Sequence, residues 1–158
     1  MDEQGGGADG LISAHLILYV QDQRASADFY RAALGIAPRL DVPGMTEFEL
    51  GSVVLGLMPE AGIQRLLGAV LPDPAQARGV PRAELYLRVH DPDACHQRAL
   101  RAGARELDPV RPRDWGDRAG YLLDRDGHVL AFAAADPGRP RRGTWSESAS
   151  AEPQRGIG

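Results

Sequence analysis

The chain has no lysine and no asparagine, and Cys95 is its single cysteine; all 18 basic residues are arginine. Without lysine there is no G-x-x-x-x-G-K phosphate loop, no Schiff-base lysine and no Ser–Lys pair. With one cysteine there is no disulfide framework, no cysteine-based zinc site and no iron–sulfur cluster. Metal chemistry is thereby confined to four histidines and to carboxylates. Excess positive charge is also missing. A net charge of −4 argues against a nucleic-acid binder, which shows a basic stripe. No apolar run approaches the length of a membrane span. The run Leu11 to Val20 is broken by His15 and lacks both a basic leader and a small-residue cleavage site, so it does not read as a signal peptide. The expectation is a cytoplasmic protein with no nucleic-acid or membrane partner.

What is present fits one domain. The chain has 158 residues, 43 % of them hydrophobic and 25 % charged, enough to bury a core without disulfide or metal staples. Residues 1–12 are rich in Gly and Asp and read as a flexible leader. Residues 136–158 are rich in Pro, Gly, Ser and Arg and read as a disordered tail, with Trp145 and Ile157 as its only anchors. The small basic cluster Arg139, Arg141 and Arg142 reads as solvated chain, because so short a block makes few phosphate contacts.

The part between, 13–135, is duplicated. His15 to Gly35 resembles Glu84 to Gly103. Each begins with an apolar-rich run of strand type. Val20-x-Asp22 or Val89-x-Asp91 follows, then an Ala-rich helical stretch that ends at Gly35 or Gly103. The Asp is an expected N-cap and the Gly an expected left-handed stop. Three short strand-like runs follow each helix, at Ile36–Leu40, Met45–Leu50 and Val53–Met58, then at Arg105–Leu107, Gly120–Leu123 and Val129–Ala133. Gly51-Ser52 and Asp124–Gly127 sit where tight turns belong. The reading is an α+β chain of two tandem β-α-β-β-β modules, 13–58 and 83–135. A linker over 59–82 joins them, in which Ile63, Leu66, Leu67 and Val70 have the spacing of an amphipathic helix.

The order H-x-x-x-x-V-x-D, F-Y-x-x-x-L-G, at His15, Val20, Asp22, Phe29, Tyr30, Leu34 and Gly35, resembles the vicinal oxygen chelate superfamily. Trp115-Gly116 and the stretch Asp124 to Phe132 are similar to the ending of glyoxalase and bleomycin-resistance-type proteins. The resemblance implies a curved, cup-shaped mixed sheet with helices outside, and not one activity: lyases, dioxygenases, thiol transferases and ligand-sequestering proteins share it.

Strand alternation sorts side chains by face. His15, Ile17 and Tyr19 share one face of the first strand, and Glu84, Tyr86 and Arg88 one face of the fifth. These mixed faces suit a cup, whereas Leu16, Leu18, Val20, Leu85, Leu87 and Val89 suit packing under helices. The same logic assigns Val53, Leu55 and Leu57 to the cup, with the fourth strand the least secure because a one-residue slip exchanges the sets. It also assigns Val129, Ala131 and Ala133 to the cup. The expected ligand-binding set is Ile17, Tyr19, Leu55, Leu57, Tyr86, Arg88, Trp115 and Ala131. Trp115 is open between stacking on an aromatic ligand and capping the cup wall.

The resemblance implies one metal ligand on each of four strands in the metal-dependent members. Here those slots hold His15, Leu55 (or Gly56), Glu84 and Ala131. Two donors fall short of the three that catalytic zinc or iron sites keep, so no tight metal site is expected. Two readings of His15 and Glu84 remain: a dyad in which Glu84 orients His15 as a general base, or a pair without chemistry. Cys95-His96 reads as packing, with Cys95 on the buried helix face, and His128 as an exposed turn residue. The preferred function is small-molecule binding by a homodimeric protein of the glyoxalase/bleomycin-resistance type, without a resident cofactor. The alternatives are a divalent-metal glyoxalase- or dioxygenase-like enzyme using His15 and Glu84, and a non-catalytic structural or regulatory partner. The sequence leaves open whether one chain or a homodimer completes the cup.

Overall fold

A computed structural model describes residue 10 and residues 12–140. Most of the expected leader and most of the expected tail, with Arg141, Arg142, Trp145 and Ile157, lie outside the described residues. The first module runs β1 (Ala14–Val20), α1 (Gln23–Leu34), β2 (Leu40–Val42), β3 (Met45–Glu49) and β4 (Val53–Pro59). The linker holds α2 (Glu60–Leu67) and two short 3-10 turns, Gly68–Val70 and Pro74–Ala77. The second module runs β5 (Glu84–Arg88), α3 (Pro92–Arg101), β6 (Arg105–Pro112), β7 (Asp117–Leu123) and β8 (Val129–Ala135).

Each module folds its four strands into one mixed sheet, in the order β1-β4-β3-β2 or β5-β8-β7-β6. The outer pairs β1–β4 and β5–β8 are parallel and the remaining pairs antiparallel. The duplicated α+β module is therefore present, as two four-stranded sheets that do not close on one another. The strand runs differ at their edges. The expected Ile36–Leu40 strand is displaced to Leu40–Val42, while β6 and β7 extend toward a turn at Arg113–Gly116.

The helix starts follow the expected chemistry. The Asp22 carboxylate accepts from the Ala25 amide at 2.9 Å, and that of Asp91 from the Ala94 amide at 3.0 Å. Helix α1 stops at Gly35, with φ 68°. A Cβ there would also sit 3.2 Å from the Arg98 guanidinium. Arg98, on α3, donates to the carbonyls of Ala33 at 3.0 Å and Leu34 at 3.3 Å, so the second module caps the last turn of the first module's helix.

Helices α1 and α3 pack together. The helix-backed sides of both sheets contribute to one core, with Leu18, Val20, Phe48, Leu55 and Leu57 from the first and Leu85, Leu122, Leu130 and Phe132 from the second. Two expectations about helices fail. In α2 only Ile63 of the apolar stripe is buried, and Leu66, Leu67 and Val70 are exposed, because the linker has no second layer to cover them. In α3 His96, 2 % exposed, is buried along with Pro92 and Ala99, whereas Cys95 is only half-buried.

Candidate functional site

Each sheet has a helix-backed side and an open side. Register decides which residues share each side. On the first sheet Leu16 pairs with Leu55 and Leu18 with Leu57, so Leu55 and Leu57 belong to the helix-backed core. Both are fully buried there, and their expected place in the cup is corrected. The open side instead carries His15, Ile17 and Tyr19 from β1, opposite Val54, Gly56 and Met58 from β4. Met45, Glu47 and Glu49 extend it from β3.

On this side His15 meets Glu47. Its Nδ1 lies 3.6 Å from Glu47 Oε1, and the other carboxylate oxygen takes the Arg39 Nε at 2.9 Å. No hydrogen bond or ion pair joins His15 to Glu84 among the described residues. The two stand on different sheets. Glu47 was missed because strand β3 contributes no ligand slot in the family pattern. Its two-residue alternation with Met45 and Glu49 was the available signal.

The second sheet's open side is more closely built. Its cross-strand rows are Glu84–Val129–Leu123, Tyr86–Ala131–Tyr121 and Arg88–Ala133–Ala119. Ala119, Ala131 and Ala133 form a floor of small side chains, fully buried beneath the larger ones around them. At one end stands Asp117, 1 % exposed. Its Oδ2 accepts from the Tyr86 hydroxyl and from Arg88 Nη1, both at 2.8 Å. The Trp115 Nε1–H donates to the Tyr86 hydroxyl oxygen at 3.1 Å, bringing the indole over from the β6–β7 turn. The pattern D-R-A-G, with its carboxylate at the start of a strand, gave no sign that two neighbouring side chains would converge on it.

Burial, opposed by the Trp115 hydrogen bond and reinforced by Asp117, pushes the Tyr86 hydroxyl up to about 12, so it keeps its proton at neutral pH. Beside it Arg113 lies over the Tyr121 ring, 5.1 Å from its centroid. Arg113 and Arg111 both bond Asp108, and hydrogen bonds from Arg111, then from Arg113, hold that carboxyl below its usual range.

The turn Asp124–His128 is not the exposed feature expected. Asp124 Oδ1 accepts the amides of Asp126 and His128, and Oδ2 accepts the Tyr30 hydroxyl at 2.6 Å and pairs with His128 Nδ1 at 2.9 Å. Ligand atoms of Asp124, Asp126 and His128 lie within 4.8 Å of one another. Both Asp124 oxygens already carry two bonds each, so the group is a knot of hydrogen bonds with little capacity left to hold a cation. A cleft of about 530 Å³ lies between the start of α1 and the β2–β3 turn. Its charges are largely paired within it, since Arg31 bonds Asp28 at 2.9 Å and approaches Asp41 at 3.7 Å.

The sequence model of the glyoxalase/bleomycin resistance protein/dioxygenase superfamily matches residues 12–132. The chain belongs to this superfamily. An uncharacterized protein of Mycobacterium bovis is 31 % identical over 121 residues, covering 74 % of this chain and 78 % of that protein. An uncharacterized protein of Mycobacterium tuberculosis, Rv0887c, is also 31 % identical, over 69 % of its length. Among solved structures, a glyoxalase-related enzyme from Fulvimarina pelagi superposes with a TM-score of 0.67 at 26 % identity, over 78 % of this chain and 87 % of that one. A glyoxalase/bleomycin resistance protein/dioxygenase from Nocardioides gives 0.68 at 22 % identity, over 89 % and 93 %, which shows a shared fold.

The four ligand slots that the resemblance implies are His15, Leu55 or Gly56, Glu84 and Ala131. Register selects Gly56 over Leu55 for the β4 slot. Gly56 has no side chain, and a Cβ there would lie 3.1 Å from both Ile17 Cγ1 and Met45 Sδ. Ala131 offers no donor atom and is closed in on the alanine floor. The slots thus supply one imidazole and one carboxylate on separate sheets, and this donor set does not fit the three-ligand sphere of a catalytic zinc or iron site.

Proposed function

We propose that this superfamily member binds a small organic molecule on the open sides of its sheets and does so without a tightly held metal. The observation that carries the reading is the Tyr86–Asp117–Arg88–Trp115 cluster. A buried carboxylate fixes an arginine and an aromatic pair beside a floor of alanines, at the strands where metal-dependent relatives need donor atoms. Ligand sites take this form: mostly apolar or aromatic surface with a few fixed polar groups. The partners are then a small molecule and a second copy of the chain, rather than nucleic acid or membrane. The exposed Ile17, Leu40 and Val42 on the first sheet favour a homodimer that covers them. No helix among the described residues is long and apolar enough to cross a membrane. A cytoplasmic location is part of the same proposal, resting on the single cysteine.

The test is a thermal-shift screen of hydrophobic antibiotics and aromatic metabolites on the full chain. A stabilising ligand loses its effect with Tyr86→Ala and keeps it with Leu66→Ala, an exposed linker position. The reverse pattern sinks the reading.

A second reading is a metal-dependent enzyme. It is favoured by Glu47, an additional carboxylate beside His15 outside the four slots. Together with Glu84 brought up by a second copy, it would complete three ligands. Tight stoichiometric uptake of nickel, zinc, manganese or ferrous iron that is lost in both His15→Ala and Glu47→Gln supports it over the first.

A further inference from the structure

We infer that the open side of the second sheet selects planar aromatic monoanions, with the ring on Trp115 and Tyr86 and a carboxylate on Arg88. The inference rests on the reading that this side binds a small molecule, and it names the class.

Arg88, Arg111 and Arg113 stand near the cluster on this side of the sheet, and Arg105, opposite Leu123, stands on the same side at the far end of β6. Arg113 gives hydrogen bonds to the Ala119 carbonyl from Nε and Nη2, to Asp108 from Nη1 and to the Pro109 carbonyl from Nη2. Arg111 meets both Asp108 oxygens through Nε and Nη2. Arg88 makes a single bond, from Nη1 to Asp117, and its side chain is 34 % exposed. The guanidinium is thus partly open to solvent, and its planar fork matches the two oxygens of a carboxylate.

The other polar groups of the cluster are occupied. The Tyr86 hydroxyl donates to Asp117 and accepts from Trp115. The Trp115 N–H is used in that bond, so Tyr86 and Trp115 present their rings. Trp115 is 37 % exposed, and the bond to Tyr86 fixes the indole before any ligand arrives. A fixed aromatic surface loses little entropy on binding.

Charge sets the number of negative groups. Asp117 already offsets Arg88, and exposed Glu84 stands four residues before Arg88 on the same side of β5. A monocarboxylate meets that excess of one negative charge but offsets it with a two-oxygen bond to the Arg88 fork, whereas a phosphate dianion meets about twice the repulsion. Ligand polarity is thus read by one side chain and ring shape by two.

Isothermal titration calorimetry on the full chain tests this with 2-naphthoate, its uncharged amide 2-naphthamide, and cyclohexanecarboxylate. The expected result is that naphthoate binds roughly tenfold or more tighter than naphthamide, the worth of one charged hydrogen-bonded contact. Cyclohexanecarboxylate binds more weakly than naphthoate. Arg88→Met brings naphthoate down to the level of naphthamide, and Trp115→Ala weakens both ring compounds. Should Arg88→Met fail to fold because Asp117 loses its arginine, Arg88→Lys keeps the charge but not the fork and is expected to shrink the preference. Equal affinity for acid and amide, with both lost in Trp115→Ala, overturns the anion selectivity and leaves the binding face standing. Absence of binding by either ring compound, or binding indifferent to Trp115→Ala and Tyr86→Ala, overturns the selectivity and counts against the binding face as well.

Discussion

The hydroxyl of Tyr30, on the helix of the first module, donates to Asp124 Oδ2 in the last turn of the second at 2.6 Å. Both groups are buried, and the Gln21 amide repeats the crossing two residues along the turn, donating to Asp126 at 2.8 Å. The duplicated modules are therefore joined by polar bonds at one turn as well as by the shared apolar core. Removing the Tyr30 hydroxyl leaves a buried carboxylate one donor short, which costs about 1–3 kcal/mol. Tyr30→Phe is expected to lower the unfolding free energy by that amount, read as a lower urea midpoint with the slope unchanged. A neutral result would mean that water replaces the hydroxyl without loss.

The same turn gives stability a pH dependence. Burial disfavours the His128 imidazolium, but the hydrogen bond and charge of Asp124 outweigh it and raise His128 above its ordinary 6.5. A raised folded-state value means that this contribution is complete below 6.5 and is lost as pH rises through the higher folded value. Burial likewise opposes ionisation of Asp124, yet His128 and Tyr30 hold its carboxyl below 3.8, so its contribution is present above 3.8 and is lost on acidification. Asp126 acts in the opposite sense on the acid side, because burial raises it and the Asp124 charge adds to that. The alkaline limb is the clean one. Chemical denaturation at intervals from pH 6 to 9 is expected to show stability declining, and His128→Asn to flatten the decline. An unchanged slope in the variant would assign the decline to another group.

Gly120 lies against His96. A Cβ at Gly120 would sit 2.5 Å from His96 Nδ1 and 2.7 Å from Val110 Cγ2. Nδ1 is buried without a hydrogen-bond partner, while Nε2 meets Glu106 at 2.7 Å. Gly120→Ala is expected to cost about 1–3 kcal/mol through overpacking. Adding His96→Ala should recover part of it, a coupling that a double-mutant cycle reads directly. Strict additivity would contradict the contact.

Leu55 and Ile17 separate the two sides of the first sheet. Leu55→Ala is expected to cost about 2–5 kcal/mol, as for a core leucine. Ile17→Ala, on the open side, should cost under about 1 kcal/mol. Similar losses at both positions would restore the one-residue slip in β4.

That slip shows where the sequence was informative. The duplication was readable because Asp22 and Asp91 cap, Gly35 and Gly103 stop, and the strands between alternate. β1, β5 and β8 have polar or small residues on one side only, so their faces could be assigned. β4 reads Val-Val-Leu-Gly-Leu-Met, apolar at either phase, and only pairing with Leu16 and Leu18 sets which leucines go inside. The site was harder. Tyr86, Arg88 and Trp115 were identifiable from alternation and motif, but Asp117 and Glu47 act through partners far along the chain. His128 looked like a turn residue until Tyr30 was seen to share its carboxylate. Such convergence depends on tertiary placement, which local pattern does not encode.

The central claim is that this chain binds its ligand without a resident metal. Calorimetric titration of the metal-free full chain with zinc, nickel, manganese and ferrous iron tests it most directly. The account predicts weak binding without defined stoichiometry, changed little by His15→Ala. One equivalent bound at sub-micromolar affinity (about −8 kcal/mol or stronger) and abolished by His15→Ala would contradict it.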